Sequence, residues 1–188
     1  MRDKIFERSI VQNSAATLAG IKVGNLFNHN FASYEACIKA IEDANEELNS
    51  KDVYVELLEC HDDFYLIYIY RKKLLVGTLK DCNVRALLVK YGYTGECDAE
   101  AVLGFLKKRI VEAKTFPHEI GVFLGYPIED IKGFVRNRGR NCIMCGLWKV
   151  YSNPKKAKEY FCKIDKCNSI YMDVYCKGRS LLQMTVGA

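Results

Sequence analysis

The residues best suited to chemistry in this 188-residue chain crowd into NRGRNCIMCGLWKVY, residues 137–151. Arg138 and Arg140 flank a glycine, Cys142 and Cys145 stand two residues apart, and Trp148 is the only tryptophan. Three chemistries draw on such a set. Two thiolates at this spacing can hold one side of a tetrahedral zinc ion, with Gly146 letting the backbone turn beneath the metal. The same pair can cycle between dithiol and disulfide where its surroundings lower a thiol pKa. Two guanidiniums beside exposed backbone N–H groups can cradle an anion. Arg136 adds a third cation, and Tyr126, Trp148 and Tyr151 offer rings for stacking.

Each reading meets a constraint. A zinc centre needs ligands beyond Cys142 and Cys145, and the nearest downstream are Cys162, Cys167 and Cys176. On one continuous helix, at about 100° per residue, Cys162 and Cys167 point about 140° apart, so at most one cysteine joins the site. Cys167 is the candidate third ligand, and a four-cysteine centre requires a helix break near residues 165–168. A thioredoxin-like pair follows a strand and opens a helix, whereas here a helix precedes and a strand-like run follows. Gly146 after Cys145 excludes the usual c-type haem attachment, which needs histidine.

His118-Glu119 begins like a zinc protease motif, but position 122 is valine where the second histidine belongs. An enzymatic alternative pairs His118 or Glu119, as base, with Cys145 as nucleophile. Against all of these stands a structural reading, in which Trp148 packs a core, the arginines cap a helix and His118 bonds a carbonyl.

Charge narrows the partner. Between Ile131 and Lys158 lie eight basic residues and no Asp or Glu, so this one segment exceeds the whole chain's net charge of +5. Such a field attracts phosphates, nucleotides, nucleic acid or an acidic partner; the plainer alternative is a solvated helix face. The N-terminal residues carry charges throughout, unlike a secretory signal. The most continuous apolar run, Phe64 to Tyr70, falls far short of the roughly 20 residues a spanning helix needs, so no membrane partner is expected. Nine cysteines, an odd count, fit reduced thiols in a cytoplasm.

The elements that must position these residues follow from periodicity and punctuation. Residues 2–12 read as a short helix, and TLAGIKVGNLFN after them reads as a loop because Gly20 and Gly24 interrupt any pattern. Ser33 to Leu48 has helical spacing, with Cys37, Ala40, Ile41 and Ala44 on one face. DVYVELLEC and FYLIYIY predict a hairpin turning at His61-Asp62-Asp63. Helices are expected near 81–91 and from Asp98 to Ala113. Pro117 and Pro127, each followed by carboxylates, start two short helices that meet at Gly125-Tyr126. Asn153-Pro154 opens a long amphipathic helix ending near Gly178. The expected fold is α+β: a small antiparallel sheet (hairpin about 52–70, third strand about 147–151) packed by several helices. It forms one domain over 1–188, with a helical C-terminal subdomain from about 153.

TLAGIKVGNLFN, FPHEIGVFLGYPIEDIKGFVRNRGRN and CGLWKVY together resemble an uncharacterised bacterial family, domain-of-unknown-function family 3793, found mainly in anaerobes. The likeness spans nearly the whole chain. It implies a cytoplasmic single-domain protein and carries no catalytic residue or cofactor. The leading expectation is therefore a module that binds an anionic small molecule or cofactor through Arg136, Arg138, Arg140, Tyr126 and Trp148. A thiol enzyme or redox protein using Cys142 and Cys145, and a zinc-stabilised nucleic-acid binder, are the alternatives.

Overall fold

The computed structural model describes residues 3–61, 64–94, 98–112 and 116–187. They divide into two units, one taking in the chain to Leu75 and again from Cys167, the other running Val76–Lys166.

In the first unit, α1 (Lys4–Leu18) is capped by Asp3, whose carboxylate accepts the Ile5 and Phe6 N–H groups. It runs on to Leu18 rather than ending near residue 12, because Ala15, Ala16 and Leu18 are buried and anchor the last turn despite non-helical backbone at Ser14. The stretch expected as a loop contains a strand, β1 (Gly24–His29). Gly24 is not a breaker there: a Cβ at this position would lie 2.7 Å from the Tyr68 ring, so glycine makes room for the neighbouring strand's side chain. A strand whose first residue must be glycine carries no propensity signal.

Ser33 caps α2 (Tyr34–Leu48), which buries Cys37, Ala40, Ile41, Ala44 and Leu48 as its spacing requires. The hairpin forms as β2 (Val53–His61) and β3 (Phe64–Arg71), with a bulge between Leu57 and Glu59. Asp62 and Asp63 of its turn lie outside the described residues. All pairing is antiparallel in the order β1-β3-β2. The central strand, β3, is buried from Tyr65 to Arg71, which accounts for its unbroken apolar run. Asn45 fastens α2 to β2 by bonding both the N–H and the C=O of Val55 at 2.8 Å.

Arg71, 3% exposed, closes this unit. Its guanidinium donates to the carbonyls of Thr17 (2.6 Å), Leu18, Lys51 (3.2 Å) and Val186 (2.8 Å). Two of these end α1, where unpaired carbonyls and the negative end of the helix dipole favour a cation.

The second unit begins within α3 (Lys72–Leu79) and continues through α4 (Cys82–Lys90), capped by Asp81, and α5 (Ala99–Glu112). Ala113, expected to end this last helix, lies outside the described residues. Then follow α6 (Ile120–Phe123), α7 (Ile128–Arg136), β4 (Met144–Cys145) and β5 (Lys149–Val150). Last come α8 (Pro154–Cys176) and α9 (Leu181–Met184). The strand expected at 147–151 forms at β5, but it pairs with β4 in a separate ribbon; β1 is the third strand of the main sheet. The chain is thus an α+β fold with a small antiparallel sheet and several helices. Among the described residues, no helix is long and apolar enough to cross a membrane.

Candidate functional site

Every candidate site residue named above except Cys167 and Cys176 belongs to the second unit. What organises them is Asp130, in the first turn of α7 and 3% exposed. One carboxylate oxygen accepts the Tyr151 N–H, the Ser152 N–H and the Ser152 hydroxyl, each at 2.8 Å. The other accepts the Trp148 indole N–H at 2.7 Å. A buried carboxylate persists only when its lone pairs are filled, and four donors fill these. The bonds tie the start of α7 to the β5–α8 connection and fix the indole at its polar edge.

With its N–H held, the indole also packs against three rings. Tyr126 packs at a centroid distance of 4.9 Å, Phe161 meets it edge-on at 4.6 Å and Tyr160 lies at 5.7 Å. Val150, Ala157 and Met144 complete this cluster. The Tyr126 hydroxyl donates to the Leu147 carbonyl at 3.2 Å, and burial pushes its phenol pKa up.

Beside this cluster opens a cavity of about 440 Å³. Phe116, Tyr126, Ile131, Phe134 and Trp148 supply most of its wall, with Pro117, Ile120 and Gly121 behind them. Its polar lining residues are His118, Asp130 and Lys149, besides the Tyr126 hydroxyl. His118 is exposed and stands edge-on to Phe134 at 5.1 Å. The Lys149 ammonium lies 5.9 Å from the centre of the same ring and donates to the Gly139 carbonyl at 2.7 Å. A second cavity, of about 460 Å³, shares Asp130 and Trp148 but is bordered by Glu129, Ser152, Asn153 and Lys156.

The Arg138–Asn141 loop therefore reaches the first cavity through Lys149. Arg138, Gly139 and Asn141 all adopt positive φ (51°, 71° and 56°), a tight reversal unusual for two non-glycine residues in four. Arg136, Arg138 and Arg140 are exposed and form no ion pair among the described residues. They are not among the residues lining the cavity; among the described residues, the lysine or arginine that lines it is Lys149.

Glu119 faces elsewhere. It is fully buried, and one oxygen takes the Arg109 Nε–H at 2.5 Å, while the Arg109 guanidinium stands over the Tyr91 ring at 5.5 Å. Burial first, and then the Glu119 charge, push the nearby Tyr93 phenol up. His118 and Glu119, neighbours in sequence, are thus separated in role: one borders the cavity, the other holds an internal ion pair.

Cys142 is half-buried, Cys145 exposed and Cys167 buried, and none of the three is in a disulfide. Neither Cys142 nor Cys145 lines the cavity. Because α8 is continuous through residues 165–168, the break required for a four-cysteine centre is not there. Among the described residues, no three His, Cys, Asp or Glu side chains converge as a metal site.

Sequence reasoning passed over Asp130, Phe134 and Lys149 as site residues. Asp130 reads as an ordinary helix-start carboxylate and Lys149 as one of eight cations. A signal existed for Phe134, which follows Ile131 by three residues on α7 and so extends the helix's apolar face.

Residues 10–185 match the DUF3793 model, whose description is a protein of unknown function, and the chain belongs to that family. No curated protein and no solved structure matches the chain.

Proposed function

We propose that the protein is a binding module for an anionic small molecule, seated in the Trp148 cavity. The observation that carries this reading is the pairing of an aromatic chamber with a lysine at one end, turned toward a loop of unpaired arginines. The volume of about 440 Å³ falls within the roughly 300–1,000 Å³ typical of small-molecule sites. The Lys149 ammonium has three N–H donors and spends one on Gly139, so it can still meet an anion. Arg138 and Arg140 then act as an outer positive field that raises the local anion concentration, rather than as the inner clamp.

The test is a thermal-shift screen with nucleotides, phosphate esters and organic acids on the wild type, Lys149→Met and the double variant Arg138→Ala/Arg140→Ala. At 100 times its Kd a ligand adds about 2.7 kcal/mol to stability. At least one anion should raise the melting temperature, less so in Lys149→Met, and with a steeper loss at high salt than a neutral ligand shows. If no anion shifts melting, or the shifts ignore Lys149, the reading is wrong.

A further inference from the structure

We infer that the ligand class of this cavity is an aromatic monocarboxylate, a planar uncharged body carrying one terminal anion. The inference rests on the anion-binding reading above and narrows it. It follows from where the charges sit in the chamber.

Lys149 and His118 both border Phe134, the ammonium 5.9 Å from its ring centre and the imidazole 5.1 Å centroid to centroid. The cationic end is thus defined by one ring. At the indole, the Asp130 carboxylate is bonded along the N–H edge of Trp148. Its lone pairs are taken by four donors, so it offers no hydrogen bond to a ligand, yet its negative charge remains in the wall.

An anion is therefore attracted at Phe134 and repelled near Trp148. The part of the ligand lying against Tyr126 and Trp148 has to be uncharged, and rings on that wall favour a flat partner by offset or edge contacts. A polyphosphate fits this poorly. Each added charge would need its own donor, and among the described residues Lys149 is the one ammonium or guanidinium lining the cavity.

The experiment uses the full chain and its single tryptophan, whose indole N–H gives one resonance in a ¹⁵N–¹H correlation spectrum. Titrations with 2-naphthoate, its neutral isostere 2-naphthamide, AMP and inorganic pyrophosphate are read by that resonance and by calorimetry. The expected result is a ring-current shift of the Trp148 signal with 2-naphthoate, and affinity about tenfold above 2-naphthamide, the worth of one charge-assisted hydrogen bond at a partly open site. Lys149→Met should bring naphthoate down to the level of the amide and leave the amide unchanged, and Lys149→Arg should retain the preference.

AMP or pyrophosphate binding more tightly than naphthoate through Lys149 would overturn the aromatic-acid class while leaving the anion reading intact. Equal affinity for naphthoate and naphthamide would overturn both, leaving a purely apolar chamber. A Trp148 resonance that no probe moves also overturns both.

Discussion

Arg71 in the first unit and Asp130 in the second are opposite solutions to one problem, a full charge only 3% exposed. Arg71 gathers carbonyls from three separate stretches of backbone, near residues 18, 51 and 186. A cavity in that unit, between α2 and Leu181, measures about 20 Å³, room for about one water. Asp130 gathers donors from a single connection, residues 148–152, and borders two cavities of over twenty times that size. The difference teaches where each unit spends its rigidity. One charge joins distant stretches of backbone, whereas the other holds a loop and an indole in place beside the cavities.

Three substitutions sharpen or break this contrast. Arg71→Met should be the most damaging, because it removes the donor from the buried carbonyls of Thr17 and Leu18 and from the part-buried ones of Lys51 and Val186. At about 1–3 kcal/mol for each unsatisfied buried group, partly relieved by entering water, a loss of about 4 kcal/mol is expected in denaturant unfolding. A loss below about 1 kcal/mol would mean those carbonyls find other partners and the weld is unimportant.

Asp130→Asn should cost less, about 2–3 kcal/mol, since the amide keeps one acceptor and turns two donors toward N–H groups it cannot serve. Unlike Arg71→Met, it should also shift the Trp148 emission while the protein remains folded. Unchanged emission would show that the indole is held by its ring contacts alone.

Gly133→Ala is the smallest of the three, at about 1–2 kcal/mol. A Cβ there would stand 2.5 Å from that of Tyr151, forcing α7 away from β5. Its melting temperature, compared with that of Gly77→Ala, where a Cβ meets nothing within 4 Å, isolates the contact.

Much of the second unit was legible in the residues themselves. The prolines at 117 and 127 and the Gly125-Tyr126 junction marked α6 and α7 correctly, and Asn153-Pro154 marked the start of α8, because caps and breakers act locally. β1 was not legible, since the glycine at its start is there to make room for the Tyr68 ring across the sheet, a contact that no window of neighbouring residues contains. The site divided in the same way. Tyr126, Trp148 and His118 were visible as types and do border one cavity. Lys149 and Asp130 were hidden, because only the β4–β5 ribbon and the helix start at Pro127 decide which of many charges turns inward. The cysteines drew attention by spacing alone, and the structure provides them with no third ligand among the described residues.

The carbonyl of Val186, which Arg71 holds, lies 115 positions away along the chain. At synthesis rates of about 5–20 residues per second, the ribosome needs several seconds to deliver it after Arg71 has emerged. Residues 76–166 are complete before that moment, so the helical unit can mature while one of the guanidinium's four acceptors is still missing. The first unit gains its Val186 contact only after the second unit's residues have all been made.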